Sequence, residues 1–403
     1  MKRTWIRILS FGVAALLALQ VLPWRPAAAG FTSFSPVLSL LGAWAARTAM
    51  LSMLLGLPIL ILAWFHSRWF CRWLCPVGLA AETAGRLHPA ARRRFARWPN
   101  LGRGLLLVLV GGAAAGYPLF IWLDPLSIFN GFFSAWKTPP AWSSGLLAAG
   151  LPLVLLLSWF APQAWCQRVC PLGAAQDLLA GLRRLRKPAA VPVPPAGTPA
   201  PAACTRRDFL GIAAGGAAAL GLRRFLRLPS RVVRPPGALP EDRFTGLCAR
   251  CGACIRACPY GILRPDAGDS GLTGLLAPVA DYSKAHCFEF CNECTQVCPT
   301  GAIERLDLAA KRNRAMGLAE VDRNRCIAWR DGEYCMVCHE FCPYLAIGTE
   351  EHDGVNCPVV LADMCRGCGA CQVNCPALPD KAIVVHGAPQ HAARPLEEAA
   401  GPG

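Results

Sequence analysis

The feature that most constrains this chain is a cysteine pattern that occurs four times in its C-terminal half. The segment CARCGACIRACPYGIL, at 248–263, has the spacing C-x2-C-x2-C-x3-C-P. The same spacing returns unchanged at 365–376. Two variants also occur: the motif at 287–299 has one extra residue in its first gap, and the motif at 326–343 has eight residues in that gap. Four sets of four cysteines result: Cys248, Cys251, Cys254 and Cys258; Cys287, Cys291, Cys294 and Cys298; Cys326, Cys335, Cys338 and Cys342; Cys365, Cys368, Cys371 and Cys375.

This spacing predicts [4Fe–4S] clusters. Three closely spaced thiolates let one turning loop bind three irons of a cubane, and in bacterial ferredoxins the fourth thiolate, before proline, ligates the neighbouring cluster. Zinc sites combine two C-x2-C pairs or include histidines, and disulfides impose no such spacing. We therefore expect four [4Fe–4S] clusters, with the sixteen cysteines as iron ligands, and a role in passing single electrons.

The segments around these motifs carry two further predictions. Apolar residues follow each proline, as in GIL at 261–263 and KAIVV at 381–385, and predict short strands or helix starts that cover the clusters. The wide first gap of the third set makes its first ligand the least regular of the sixteen. Cys357, in NCPVV, is the alternative to Cys326 at that position.

The N-terminal half is apolar and predicts a membrane domain. Its four apolar segments are 5–23, 48–65, 103–123 and 145–160, and their lengths are near those that cross a bilayer. A cleaved signal peptide is the alternative for the first segment. The expected fold is an α-helical four-helix transmembrane bundle at 1–187, with an interfacial piece at 36–45, followed by an α+β bacterial-ferredoxin-like domain at 240–386.

Basic residues orient this bundle. The formal net charge is +16, and eight arginines lie between the second apolar segment and the first residue of the third, Arg103 included, whereas Lys137 is the one basic residue between the third and fourth. Five more basic residues follow the fourth segment. Because basic loops stay in the cytoplasm, we expect both ends of the bundle there, in a bacterial inner membrane. This placement of the charge argues against nucleic acid as a partner.

Three segments outside the two domains have their own predictions. Residues 188–204 are rich in proline and alanine and predict an extended linker. Residues 205–222, TRRDFLGIAAGGAAALGL, place two arginines before a weakly apolar stretch, which is typical of a twin-arginine export signal; an anchor helix with a basic cap is the alternative. The tail at 387–403 is expected to be disordered.

A second repeat lies in the membrane half. WFHSRWFCRWLCPVG at 64–78 and WFAPQAWCQRVCPLG at 159–173 align without gaps at an offset of 95 residues. Each copy carries C-x3-C-P after an even-numbered apolar segment: Cys71 and Cys75, then Cys166 and Cys170. Both copies should therefore emerge at the cytoplasmic face. The four thiols are candidates for a fifth [4Fe–4S] cluster, for exchanging dithiols, for a partner contact, or for packing alone.

These motifs resemble two known groups. Residues 205–386 are similar to NapG-type and MauM-type polyferredoxins, which carry a twin-arginine signal and four [4Fe–4S] clusters. Residues 1–185 resemble NapH-type membrane ferredoxins of the NosR/NapH/CcoG group, without the cytoplasmic ferredoxin tail of that group. The chain thus resembles a NapH–NapG fusion. The resemblance implies that the first motif pairs with the fourth and the second with the third; pairing of successive motifs stays open.

The expected function is electron transfer from quinol in the bilayer to a periplasmic oxidoreductase, such as a nitrate reductase, with the ferredoxin domain in the periplasm. Asp124 and Trp122, at the predicted end of the third helix, lie where a quinol would lose protons, although an Asp-Pro pair also caps helices. The alternative is delivery of cytoplasmic electrons, through the C-x3-C-P cysteines, for maturation or activation of a periplasmic metalloenzyme. A third hypothesis is a non-redox anchor whose clusters only stabilise the fold.

Overall fold

The computed structural model describes residues 2–19, 30–48, 51–87, 98–137, 141–186, 206–225 and 231–394. The predicted linker at 188–204 lies outside the described residues. Ten helices make up the described part of residues 2–225: α1 (Lys2–Leu19), α2 (Pro36–Ala46), α3 (Leu57–Phe65), α4 (Trp69–Trp73), α5 (Pro76–Arg86), α6 (Leu101–Ala114), α7 (Pro125–Ala135), α8 (Trp142–Phe160), α9 (Pro171–Arg186) and α10 (Arg206–Phe225). A 3-10 helix, Leu51–Gly56, leads into α3, and a π-helical turn, Trp165–Val169, precedes α9.

One described helix, α8, is long and apolar enough to cross a membrane. The apolar helices Pro36–Ala46, Leu54–Phe65 and Leu101–Ala114 are shorter than a bilayer requires. The prediction that the N-terminal half is α-helical is therefore confirmed. That four of its helices cross a membrane stays a prediction. The predicted interfacial piece at 36–45 is the helix α2.

The predicted third apolar helix, 103–123, is wrong in its second half. α6 ends at Ala114, and Gly116 then takes a positive φ of 77°. The Tyr117 amide donates to the Gly112 carbonyl at 2.8 Å, and Pro118 prevents the helix from continuing. Asp124 therefore does not end that helix. Its carboxylate caps α7, where it accepts from the Leu126 amide at 2.9 Å.

The segment that resembles an export signal forms α10 and packs against α6. Both helices run in the same direction, since Arg103 pairs with Asp208 at 2.6 Å near their starts and Gly111 lies against Gly216 further along. Glycines bring the two backbones together further along. A Cβ on Gly111 would lie 2.0 Å from the Ile212 carbonyl oxygen, and one on Gly215 would lie 2.6 Å from Val108 Cα. Close approach through small residues is typical of helix pairs in membranes.

The C-terminal half combines short helices with short strands. Its helices are α11 (Glu241–Leu247), α12 (Ala253–Ala257), α13 (Glu293–Gln296), α14 (Leu308–Arg312), α15 (Ile327–Asp331), α16 (Val337–Glu340) and α17 (Ala370–Asn374). Its strands are β1 (Leu263–Pro265), β2 (Pro278–Ala280), β3 (Arg314–Val321), β4 (Ile347–His352), β5 (Val355–Val360) and β6 (Ile383–Ala393). Antiparallel pairs form between β1 and β2, β3 and β6, and β4 and β5. The apolar residues after three of the motif prolines begin strands, as predicted, at Leu263, Ile347 and Ile383, whereas Ile303 forms an isolated bridge with Ala238.

The disordered tail predicted from residue 387 does not begin there. β6 continues to Ala393 and pairs with β3 from Val321 opposite Ile383 to Arg314 opposite Ala393, with a register shift between Gly317 and Ala315. The Arg394 amide then donates to the Asn313 carbonyl at 2.7 Å. Ladder hydrogen bonds thus order a segment whose Gly, Pro and Gln residues carry little strand propensity. Residues 395–403 lie outside the described part of the chain.

Candidate iron–sulfur sites

The first two motifs exchange their fourth cysteines. Burial, followed by the nearby thiols of Cys248, Cys251 and Cys298, raises the pKa of the Cys254 thiol. Burial and the thiols of Cys287, Cys258 and Cys291 do the same for Cys294. Each set of neighbouring thiols therefore contains three cysteines of one motif and the last cysteine of the other. The first site is Cys248, Cys251, Cys254 and Cys298, and the second site is Cys287, Cys291, Cys294 and Cys258.

The third and fourth motifs make the same exchange. Burial and the thiols of Cys326, Cys335 and Cys375 raise the pKa of Cys338 to about 12. The thiols that raise the pKa of Cys371, after burial, include Cys368, Cys365 and Cys342. The third site is thus Cys326, Cys335, Cys338 and Cys375, and the fourth site is Cys365, Cys368, Cys371 and Cys342. Successive motifs pair, whereas the family resemblance implied that the first motif would pair with the fourth.

Two of these sites surround a cavity with their thiols. All four thiols of the first site line one cavity, and all four thiols of the third site line another. Among the described residues no three His, Cys, Asp or Glu side chains converge closely enough to hold one metal ion. A cubane distributes its four thiolates over four separate irons, so thiols arranged around a cavity fit it better than they fit a mononuclear centre.

The protein around the thiols disfavours free thiolates. Burial raises the pKa of Cys251 and of Cys368 to about 12, so both are protonated at neutral pH without metal. Iron binding would then release protons. Backbone amides also donate to the sulfur atoms, from Ile303 to Cys298 at 3.4 Å and from Ala346 to Cys342 at 3.3 Å. Such N–H···S bonds are among the factors that set cluster reduction potentials.

Cys326, and not Cys357, lines the cavity of the third site. Cys357 lies on β5 opposite Glu350, fully buried and within electrostatic range of Cys326. Between Cys326 and Cys335, the helix α15 and the turn at Gly332, with a φ of 66°, accommodate the wide gap. The Trp329 indole of α15 donates to the Pro358 carbonyl at 3.0 Å and fixes that insertion to β5.

The four sites form a chain of neighbours in the order first, second, fourth, third. The Cys254 thiol of the first site lies within electrostatic range of Cys294 in the second. The Cys287 amide of the second site donates to the Cys368 carbonyl of the fourth at 2.9 Å. Tyr282 packs at this junction and donates to the Gly367 carbonyl at 2.8 Å. Cys371 of the fourth site is within range of Cys338 in the third.

The first site lies directly against the helices of the N-terminal half. Asn130 and Ser134 of α7 donate to the Cys251 carbonyl at 3.1 and 3.2 Å. Lys137 donates to the Arg256 carbonyl at 2.7 Å, and the Arg256 guanidinium donates to Asn130 Oδ1 at 2.6 Å. Burial lowers the pKa of this guanidinium to about 10, which leaves it charged at neutral pH. The first site is therefore anchored to α7 by a polar network.

The two C-x3-C-P copies of the membrane half also come together. Cys170 lies within electrostatic range of Cys71, Cys75 and Cys166. The copies match in detail, because the Gly78 amide donates to the Cys75 sulfur and the Gly173 amide to the Cys170 sulfur, each at 3.4 Å. Cys75 and Cys170 are buried. We call Cys71, Cys75, Cys166 and Cys170 the membrane-half site.

Side chains that sequence reasoning missed hold this site in place. Gln176, fully buried, accepts from the Phe70 amide at 3.2 Å and donates to the Cys71 sulfur at 3.2 Å. Arg68 pairs with Asp177 through two hydrogen bonds and donates to the Cys166 carbonyl at 3.2 Å. The repeat contains a signal for Asp177, since the residue 95 positions earlier is Glu82, which pairs with Arg7.

Comparisons with known proteins agree with these sites. Residues 247–302 match a 4Fe-4S dicluster domain, which spans both motifs of the first exchange. Residues 362–378 match a 4Fe-4S binding domain, and another model of that description matches 47–95 and 144–188, around the two C-x3-C-P copies. The methylamine utilization ferredoxin-type protein MauM of Methylorubrum extorquens is 36% identical over 194 residues, 43% of this chain and 86% of the relative.

The chain belongs to the family of ferredoxin-type proteins that includes MauM. The ferredoxin-type protein NapG of Escherichia coli is 37% identical over 185 residues, which cover 42% of this chain and 78% of the relative. NapF of the same organism is 31% identical over 161 residues, 90% of its length. No solved structure matches. The prediction of an iron–sulfur electron-transfer protein with [4Fe–4S] clusters is confirmed, whereas the fusion to a NapH-type membrane domain stays a prediction.

Proposed function

We propose that this chain is a membrane-bound electron-transfer protein that carries electrons from quinol in the bilayer, through four [4Fe–4S] clusters, to an exported oxidoreductase. The observation that carries this proposal is the arrangement of the four sites. They form one line that begins against the α7–α8 pair and ends away from it. A line of this kind connects two partners, whereas a purely structural role requires no connection between clusters.

Within this proposal each of the four sites holds one cluster through its four thiols. The clusters would supply one-electron carriers, and quinol gives up two electrons together with two protons. The chain's own residues hold the carriers close to one another, exclude water from the buried thiols and fix the first site to α7 through Asn130 and Ser134. The protons would leave to water on the exported side.

Membrane insertion is supported by the outward side chains of the helices. α8 exposes Leu153 and Leu156, α1 exposes Trp5 and Leu9, and α10 exposes Phe209. Only 33% of the apolar window of α8 is buried inside the protein. Large apolar surfaces of this kind mark contact with lipid or with another protein. We place α1, α3, α6 and α8 in the bacterial inner membrane with the basic loops in the cytoplasm. The helix α10, which runs parallel to α6, would carry the chain back across the membrane, so that the ferredoxin half lies in the periplasm.

The acceptor would bind near the third site. Tyr334 and Phe341, which directly precede Cys335 and Cys342, are 73% and 52% exposed. Leu378, shortly after Cys375 in the chain, is 79% exposed. Exposed aromatic and aliphatic side chains suit a transient protein contact. The acceptor class is a periplasmic oxidoreductase, with a nitrate reductase and, from the name of MauM, an enzyme of methylamine utilization as candidates.

The membrane-half site supports a second candidate function. Its four thiols lie together, and the matching domain models describe 4Fe-4S binding. A fifth cluster there would accept electrons from a cytoplasmic donor and deliver them outward, for maturation or activation of a periplasmic metalloenzyme. Quinol dependence separates the two functions, because only the first requires a donor dissolved in the bilayer.

The test uses the full-length, cluster-loaded chain in quinone-free phosphatidylcholine nanodiscs under anaerobic conditions. Menadiol is added to the oxidised protein, and cluster reduction is followed by the loss of visible absorbance. The proposal predicts that menadiol bleaches a fraction of the absorbance that dithionite bleaches completely. Bleaching by dithionite alone would overturn quinol as the donor and would favour the cytoplasmic route.

A further inference from the structure

A long apolar cleft lies between α7 and α8. Its volume is about 270 Å³, close to the lower end of the usual range for small-molecule sites. α7 contributes Ile128, and α8 contributes Leu146, Gly150 and Leu153. Since Leu146 and Leu153 are also exposed at 43% and 61%, the cleft opens along the outer surface of the helix that is long enough to cross a membrane.

Two buried polar atoms in the wall of this cleft have no hydrogen-bond partner among the residues that the structure describes. They are the Ser127 hydroxyl, in a residue 2% exposed, and the Trp165 indole nitrogen, in a residue 8% exposed. Leaving such groups unpaired costs about 1–3 kcal/mol each. The indole N–H can only donate, so it requires an acceptor oxygen, and the serine hydroxyl can donate as well. A ligand with acceptor oxygens would satisfy both groups.

The end of the cleft toward the ferredoxin half is formed by Arg250 and Trp122. The Arg250 guanidinium lies over the Trp122 ring, 5.8 Å from its centroid. It is fixed by hydrogen bonds to the carbonyls of Leu275 at 2.8 Å and Thr273 at 2.7 Å. It also donates to the carbonyl of Cys248, a member of the first site, at 3.3 Å. One positive, rigid side chain thus separates the cleft from the first site.

We propose that this cleft binds the ring of a lipid-soluble quinone or quinol. The ring would lie among Trp122, Ser127 and Trp165, with its oxygens as partners of the two unpaired groups, and the isoprenoid tail would follow α8 toward the lipid. A phospholipid acyl chain fits the apolar wall but offers no acceptor oxygen at this depth. The inference rests on the proposed function for the identity of the ligand and adds the location and the binding residues.

Photolabelling tests the location without any electron transfer. The full-length, cluster-loaded chain in quinone-free phosphatidylcholine nanodiscs is irradiated with an azido-ubiquinone and digested, and the labelled peptides are identified by mass spectrometry. We expect label within 122–131 and 146–165, removed by excess decyl-ubiquinone and unaffected by added phosphatidylglycerol. Label elsewhere, or displacement by the phospholipid, overturns the site.

Matched variants test the binding residues. Gly150→Leu fills the cleft, while Gly145→Leu places the same side chain on the same helix where no atom of the described residues lies within 4 Å of the new Cβ. Ser127→Ala removes the unpaired hydroxyl, while Ser158→Ala removes one that donates to the Val154 carbonyl at 2.7 Å, outside the cleft. We expect Gly150→Leu to abolish labelling and Ser127→Ala to weaken decyl-ubiquinone binding about tenfold, with both controls unchanged. Equal labelling of Gly150→Leu and Gly145→Leu overturns the proposal.

Photolabelling and menadiol reduction together distinguish failure of the proposed binding site from failure of the proposed function. Label in the cleft together with no reduction by menadiol supports the site and overturns quinol as the donor. Reduction by menadiol that persists in Gly150→Leu at the wild-type rate overturns the cleft as the site and leaves the proposed function standing.

Discussion

The first and second pairs of cysteine motifs have the same ligand geometry and different surroundings. In both pairs, each motif gives its last cysteine to its neighbour. The first pair is held to α7 by Asn130, Ser134 and Lys137, whereas the second pair carries the β4–β5 hairpin and exposed residues such as Tyr334. The cysteine spacing therefore determines which chemistry is possible, and the neighbouring side chains determine which partner each pair meets.

Both pairs of motifs exchange their fourth cysteines, and substitution of these ligands has the largest predicted effect. Cys251→Ala and Cys298→Ala should remove the same cluster, so the double variant should lose no more iron than either single variant. Cys251→Ala combined with Cys258→Ala should lose two clusters. Iron and acid-labile sulfide analysis of the purified full-length protein measures both. Non-additive loss in Cys251→Ala with Cys375→Ala would instead support pairing of the first motif with the fourth.

The two pairs of motifs differ in that the first pair contacts α7. Gly252 and Gly369 follow equivalent cysteines at φ of 67° and 85°, so an alanine is strained at either position. A Cβ on Gly252 would lie 2.4 Å from Ser134, whereas one on Gly369 would meet Tyr282. Gly252→Ala should slow menadiol reduction of all clusters at least tenfold. Gly369→Ala should slow only the second pair, as stopped-flow absorbance would record; equal slowing in the two variants contradicts the comparison.

The helix α10 joins the two halves, and its packing predicts that the export-like segment is retained. Intact mass spectrometry of the purified membrane protein should give the uncut chain through residues 206–225. Gly215→Leu should overpack the contact with Val108 and destabilise the protein by about 1–3 kcal/mol. Gly221→Leu, with no described atom within 4 Å of its Cβ, should have little effect. A fragment that begins after residue 225 would show removal of the segment.

Cys357 gives the smallest predicted effect. Cys357→Ala should keep all the iron and lower the free energy of unfolding by about 1 kcal/mol, because a buried free cysteine behaves as a small apolar residue. Cys326→Ala should lose the cluster of the third site. Equal iron loss in the two variants would make Cys357 a ligand and would remove the symmetry between the two pairs.

Sequence spacing predicted the four motifs, the strands after three of their prolines and the repeat of the membrane half, because each depends on residues close together in the chain. It did not predict which motifs pair, since the exchange of Cys258 and Cys298 depends on how two distant loops fold against each other. It also extended the third helix past Gly116 and Pro118, although both residues favour a helix end. The order of β6 could not be inferred because it comes from pairing with β3.

Of the residues that line the cleft, the sequence drew attention only to Trp122. Ser127 and Trp165 are far apart in the chain, and both occur in apolar segments where serine and tryptophan are ordinary. The opposite holds for Asp124, which the sequence suggested as a proton acceptor for quinol. Its carboxylate already accepts hydrogen bonds from the Ser35 hydroxyl at 2.6 Å and from the Leu126 amide at the start of α7. Only the three-dimensional packing distinguishes a satisfied polar group from an unsatisfied one.

The most direct test of the account is electron paramagnetic resonance of Cys251→Ala and Cys335→Ala after anaerobic mixing with menadiol. Each variant lacks one cluster, at opposite ends of the proposed line, and dithionite spectra verify that the other clusters are present. The account predicts that menadiol reduces the remaining clusters in Cys335→Ala and leaves them oxidised in Cys251→Ala. Reduction of the remaining clusters in Cys251→Ala at the rate of Cys335→Ala would contradict the claim that electrons enter at the first site.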